Sequence, residues 1–137
     1  MKILITGITG FIGAELAKRL VKEGHEVFGM VRYVVERSDE SLMELGEKIK
    51  LVTCDITDYY SVRGAIQKVN PDAVLHLAAL SPVRLSFEHP LDYQRSIHFG
   101  TVHIAEAIRD LYGSDKVRLV VASTAEVYGI QGETPFT

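Results

Sequence analysis

The sequence predicts an α/β domain built on a doubly wound parallel sheet, and three observations predict it. Strand and helix signals alternate along the 137 residues, an order that joins parallel strands by crossover helices. The first apolar strand runs into glycines at Gly7, Gly10 and Gly13, with an amphipathic helix directly behind them. A further apolar run, 73–77, follows the helix-stopping pair Asn70-Pro71 and reads as a buried strand.

The elements follow in order. The first strand covers 2–6, and its helix runs over 11–23 with Ile12, Leu16, Ala17, Leu20 and Val21 at helical spacing. Gly24 is placed to end that helix in the left-handed conformation. The second strand is 26–31. Residues 33–47 are charged and irregular, with one short helix expected near 41–45. The third strand, 49–53, leads into Asp55-Ile-Thr-Asp58, where Asp58 reads as the N-cap of a helix over 59–69. Residues 78–89 read as a loop of small and polar residues. Pro90 suits the first turn of a long helix that ends near Gly113. Its apolar stripe is Ile97, Thr101, Ile104, Ala105, Ile108 and Leu111. A fifth strand, 117–122, is followed by a loop at its carboxyl end.

Bulk properties narrow the function. The length suits one domain with a real core. A net charge of -3 gives no basic field for nucleic acid or an anionic membrane. The one cysteine, Cys54, excludes an internal disulfide, fits a reducing compartment and reads as a small core residue. No apolar run approaches the roughly 20 residues of a membrane span. The chain enters a strand at once, so no signal peptide is expected. The expected location is the cytoplasm, and no metal site is expected.

The glycines carry the chemistry of the amino-terminal turn. Gly7 permits the tight turn off the strand, Gly10 lacks the Cβ that would hold main chain away from a pyrophosphate, and Gly13 lets the helix pack closely on the strand. The helix N-terminus adds unpaired N–H groups and the positive end of its dipole. Strand before and helix after give the context that a dinucleotide-binding turn requires; the plainer alternative is a turn with small residues for packing. Ligands of such sheets bind outside the carboxyl ends of the strands, which gathers Gly7, Arg32, Asp55, Ala78 and Thr124 on one rim.

With these residues in view, the chain resembles the extended short-chain dehydrogenase/reductase family, the sugar-nucleotide epimerases and dehydratases. The matching pieces are Thr6-Gly-x-x-Gly-Phe-Ile-Gly13, Asp55-Ile-Thr-Asp58, His76-Leu-Ala-Ala79 and Ser123-Thr-Ala-Glu-Val-Tyr-Gly129, in the family's order and at its spacing across nearly the whole chain. The resemblance implies a Rossmann-type domain over residues 1–137, a nicotinamide dinucleotide and a nucleotide-sugar substrate. It implies cofactor contacts from Gly7, Thr9, Gly10, Phe11, Ile12 and Gly13. Asp55 would meet the adenine amino group, Ile56 the ring, and Leu77, Ala78 and Ala79 the ribose and nicotinamide side. Asp55 equally suits a helix-start turn, and the two alanines tight packing. His76 reads as a core or supporting histidine rather than a catalyst.

Arg32 stands at the end of the second strand in Gly29-Met-Val-Arg-Tyr33, with no Asp or Glu after it before Glu36. An arginine there pairs with a 2′-phosphate, whereas an acidic residue would take a ribose hydroxyl. The stretch looks like the NADP-binding corner of GDP-mannose 4,6-dehydratases, with Arg37 and Ser38 as further phosphate contacts. NADP is the expected cofactor and NAD the alternative; Arg32 as a solvated surface arginine is the other reading.

The resemblance places Thr124 where the family has its catalytic Ser or Thr, bonded to the sugar's 4-oxygen. Glu126 matches the Thr-x-Glu of 4,6-dehydratases, where it takes the C5 proton; a solvated loop carboxylate is the alternative. Ala125 stands where some dehydratases carry Asp, a departure that favours the GDP-mannose type. Similar Thr-x-Glu sequences occur in decarboxylases and some epimerases. The stretch 81–90 resembles the active-site loop of GDP-mannose dehydratases, which implies substrate roles for Ser81, Ser86 and Glu88, while Ile97 departs from the usual Asn or Asp.

The family's catalytic Tyr-x-x-x-Lys belongs on a helix after the Thr124 strand, beyond Thr137. Tyr112 and Lys116 spell the motif, but Gly113-Ser-Asp between them breaks the helix that would align them. The chain is therefore expected to be the cofactor half of a longer enzyme, without catalytic turnover by itself. A non-catalytic dinucleotide-binding module is the competing expectation. The parent is expected to be a homo-oligomer, paired partly through the helix over 91–111.

Overall fold

Period-two alternation sends Ile3 and Ile5 to one face of the first strand and Leu4 to the other, and all three are buried. Such a strand needs cover on both sides. A computed structural model, which describes residues 1–33 and 46–129, supplies it. The strands are β1 (Lys2–Thr6), β2 (Glu26–Val31), β3 (Ile49–Thr53), β4 (Ala73–His76) and β5 (Arg118–Val121). They form one parallel sheet of order β3-β2-β1-β4-β5, with Thr6 paired to both Met30 and His76. The order reverses between β1 and β4, which opens a crevice outside their carboxyl ends.

Helix α1 (Phe11–Lys22) covers one face, its Ala14 and Ala17 packed with Ile3, Ile5, Val27 and Ile49. The opposite face carries the larger core, where α2 (Tyr59–Val69) and a helix over Gly100–Tyr112 close around Leu4, Val62, Ile66, Val74 and Ile104. Local chemistry sets the boundaries. Asp58 caps α2 by accepting from Tyr60 N at 2.9 Å and Ser61 N at 3.3 Å. Asn70 ends it at φ 48°, and Gly24 follows α1 at φ 82°. No helix among the described residues is long and apolar enough to cross a membrane.

Three expectations need correction. Residues 78–89 are not all loop: α3 (Val83–Glu88) forms there, too short for a helical period to be legible. The long helix after Pro90 is composite, with α4 (Pro90–Tyr93), a π-helical turn (Gln94–Phe99) and α5 (Gly100–Tyr112). The π turn inserts a residue's worth of rotation, so the buried face runs through Ser96, Gly100, Ile104, Ala107 and Ile108 and leaves Ile97 46% exposed; Ala105, next to Ile104 in the regular helix after the π turn, is exposed as well. In α1, Ile12 is 66% exposed rather than core-facing, because in the helix's first turn it borders the cavity instead of the sheet. The expected helix near 41–45 lies outside the described residues.

Candidate functional site

The glycine-rich turn is shaped by what a Cβ would strike. At Gly7, φ is +70° and a Cβ would lie 2.9 Å from Ala78 N, so this residue both reverses the chain and admits the neighbouring strand's continuation. At Gly13 a Cβ would lie 2.2 Å from the Gly7 carbonyl oxygen, so the first turn of α1 rests directly on the turn's main chain. Gly10, exposed, starts the helix and donates its N–H to Gly7 O at 3.0 Å. Ile8 anchors the loop from beneath: it is fully buried, and its side chain fills the space above Gly29 of β2, where a Cβ would approach it to 2.6 Å.

A cavity of about 820 Å³ opens over this turn, at the crevice where the strand order reverses. Thr9, Gly10, Phe11, Ile12 and Gly13 form one wall, Arg32 and Tyr33 the rim beyond β2, and Ile56, Leu77, Ala78 and Ala79 the side toward β4. Its size and its bare main chain at a helix N-terminus suit a phosphate-linked ligand with two ring systems. Met30, Cys54, Leu80, Ser96 and Ala122 also line it, and no motif singled these out. Burial pushes the Cys54 thiol up to about 11, which keeps it protonated at neutral pH.

Asp55 lies beside the cavity, but its Oδ1 accepts from Thr57 N at 2.9 Å and from Thr57 Oγ1 at 2.8 Å. Those bonds hold its carboxyl below the ordinary range, with the Arg32 charge adding to them. Ser81 reaches the cavity lining. Ser86 and Glu88 do not: Ser86 donates to Val83 O at 2.6 Å, and Glu88 pairs with Arg84 at 2.9 Å, both within α3. Thr124, exposed, follows Ala122 at the carboxyl end of β5, and Glu126 falls in the 3₁₀ turn Ala125–Tyr128. Glu36, Arg37 and Ser38 lie outside the described residues. Tyr112 and Lys116 do meet, with Lys116 Nζ 4.4 Å from the Tyr112 ring centroid. They meet beside Asn70, where β4 begins, at the opposite end of the sheet from the cavity.

Parallel order, glycine-rich crossover and crevice define a domain of Rossmann type. A sequence model described as GDP-mannose 4,6 dehydratase matches residues 4–137, and the chain belongs to that family. Protein CapI of Staphylococcus aureus is 35% identical over 100% of this chain and 42% of its own length. A GDP-mannose 4,6-dehydratase of Vibrio cholerae is 37% identical over 96% of this chain and 37% of its own length. Among solved structures, a UDP-glucose-4-epimerase from Stenotrophomonas maltophila, with bound NAD and formylated UDP-arabinopyranose, superposes with a TM-score of 0.82 at 31% identity, covering 98% of this chain and 40% of that one. The chain thus spans about two fifths of the length of the relatives it matches.

Proposed function

We propose that this chain is the dinucleotide-binding part of an NADP-dependent nucleotide-sugar 4,6-dehydratase of the GDP-mannose type. The observation that carries the reading is the cavity bounded by the main chain of Gly7, Gly10 and Gly13 on one side and by Arg32 on the other. Gly10 leaves main chain open to a pyrophosphate at the helix N-terminus, and Arg32 offers a guanidinium to a ribose 2′-phosphate. A relative with bound NAD supports the nicotinamide dinucleotide class. Held by the Gly10 main chain, Arg32 and Ala78, the dinucleotide would supply the hydride acceptor that oxidation at sugar C4 requires and the hydride donor that reduction at C6 requires. Thr124 would hold the 4-oxygen by its hydroxyl. Glu126 would take the C5 proton, acidified by the carbonyl at C4, as water leaves from C6. Ser81 would contact substrate from the cavity edge, with Ser86 and Glu88 nearby on α3. A Tyr-x-x-x-Lys pair and the sugar-nucleotide pocket would belong to the rest of the parent. The exposed apolar side chains of Leu91, Ile97, Phe99 and Val102 support a homo-oligomeric parent.

Two experiments test the reading. Arg32→Ala should lower the NADP/NAD affinity ratio about tenfold or more, the worth of a charge-assisted hydrogen bond. An unchanged ratio would leave NAD as the cofactor. Incubating the full-length parent with GDP-mannose should yield a 4-keto-6-deoxy sugar, and Glu126→Gln should cut kcat by about 10²–10⁴. The likeness to the UDP-glucose-4-epimerase supports a second reading, a nucleotide-sugar 4-epimerase, and a product inverted at C4 with C6 still hydroxylated would establish it. A decarboxylase would release carbon dioxide from a uronic-acid substrate. A non-catalytic module would turn over none of these.

A further inference from the structure

His76, at the carboxyl end of β4, is a 3% exposed titratable group that the proposed chemistry leaves unused. Its hydrogen bonds can be given a direction. Thr6 Oγ1 accepts from Leu77 N at 3.1 Å and Ala78 N at 3.0 Å, so its own hydrogen is left for His76 Nδ1, 2.7 Å away. On the other side Thr101 Oγ1 donates to Ile97 O at 2.6 Å, so it must accept from His76 Nε2, 3.2 Å away. The imidazole is therefore neutral with its proton on Nε2. Ile97 belongs to the π turn, in which Gly100 N reaches back to Arg95 O, and the same turn places Ser96 in the cavity wall.

We propose that His76 is a positioning residue of the dinucleotide site, tying the main chain of Leu77 and Ala78 on one side of the cavity to the π turn that carries Ser96 on the other. The role rests on the dinucleotide reading above. One hydrogen-bonded line runs from the Leu77 and Ala78 N–H groups through Thr6, His76 and Thr101 to Ile97 O, joining β1, β4 and the composite helix. Each hydroxyl gives its one hydrogen and each ring nitrogen acts in the only sense left to it, so replacing Thr6, His76 or Thr101 by an apolar group leaves a neighbour in the line without that partner.

Acid should break the line. From β1, α5 and β5 the ring faces or pairs with Thr6, Thr101 and Val121, none of them titratable, and burial alone lowers its pKa below the ordinary 6.5. A second proton would fall on Nδ1, against the Thr6 hydroxyl hydrogen. Because the folded-state pKa is depressed, the stabilisation is in place above about 6.5 and is lost as pH falls below it.

The test uses the 137-residue chain, with NADH and NADPH titrated by fluorescence and the imidazole protons followed by ¹⁵N NMR. Expected are an Nε2–H tautomer for His76, an NADH affinity that declines below pH 6.5, and about tenfold weaker binding of both dinucleotides in Thr6→Val and Thr101→Val. Thr6→Ser and Thr101→Ser, which keep the hydroxyl, should bind as the unsubstituted chain does. Val69→Ala, which destabilises the core away from the cavity, should leave affinity unchanged and so separates positioning from stability; Thr101→Val serves if Thr6→Val does not fold. An Nδ1–H tautomer, or dinucleotide affinity untouched in Thr101→Val, overturns the positioning role alone. An unsubstituted 137-residue chain that binds neither dinucleotide overturns the dinucleotide reading and the role with it.

Discussion

The two walls of the cavity are built from different materials. The wall between β1 and α1 is main chain: Gly7, Gly10 and Gly13 carry no side chains, and the space where two of their Cβ atoms would lie is already occupied by backbone. The facing wall is side chain on side chain. Thr101 holds His76, and a ring N–H of His103 donates to Ile56 O at 2.9 Å. Ile56 rests against Gly100, where a Cβ would come no closer than 3.0 Å. Backbone cannot yield without refolding, whereas side chains can trade rotamers. The first wall should therefore fail abruptly when altered and the second by degrees.

The largest effect is expected at Gly13. A Cβ there would lie 2.2 Å from Gly7 O and 2.8 Å from the Ile8 Cα, both main chain in a loop already at its tightest. Gly13→Ala should cost about 3 kcal/mol or more and abolish dinucleotide binding, read by urea unfolding and cofactor titration. A loss below about 1 kcal/mol would mean that the turn gives way easily, and the contrast between the walls would disappear.

Gly29 sharpens the comparison, because it is a glycine whose obstacle is a side chain. Its Cβ would meet Ile8 Cδ1 and Cγ2 at 2.6 Å, and Ile8 is fully buried. Gly29→Ala should cost about 1–3 kcal/mol, and Ile8→Ala should cost about 2–5 kcal/mol through the cavity it leaves. The double variant should be less destabilised than the sum of the two, by about 1 kcal/mol or more, since the new methyl occupies the vacated space. Strict additivity in denaturant unfolding would show that Ile8 is not seated on Gly29.

The same difference explains what could be read in advance. The boundaries of β1, β2, β3 and α2 follow directly from apolar alternation, Asp58 and Asn70-Pro71, because each signal is local. The three-glycine wall was legible for a like reason: only glycine satisfies a main-chain approach, so composition and spacing carry it. The π turn was not legible, since nothing in Gln94-Arg95-Ser96-Ile97-His98-Phe99 differs from an ordinary helical stretch until Thr101 and Gly100 meet His76 and Ile56. Ser96 and Met30 were not legible as lining residues either, being ordinary residues that reach the cavity only through packing between distant elements; Cys54 is the core residue its sequence suggested and borders the cavity as well. His76 could be recognised as a supporting histidine from its strand-end position, but its two hydroxyl partners are 70 and 25 residues away in sequence.

The smallest effect is expected where the side-chain wall begins. Asp58 accepts two N–H groups at the start of α2, and its own N–H donates to Asp55 O at 3.1 Å, so the cap also steadies the turn that presents Ile56. Asp58→Ala should cost about 1 kcal/mol in urea unfolding, with Asp58→Ser recovering most of it. Dinucleotide affinity should fall no more than about threefold, because Ile56 keeps its separate contacts with Gly100 and His103. A loss of affinity as large as that of Gly13→Ala would show that this wall is as unforgiving as the glycine one, and the distinction between backbone-built and side-chain-built sides would fail at its most tolerant point.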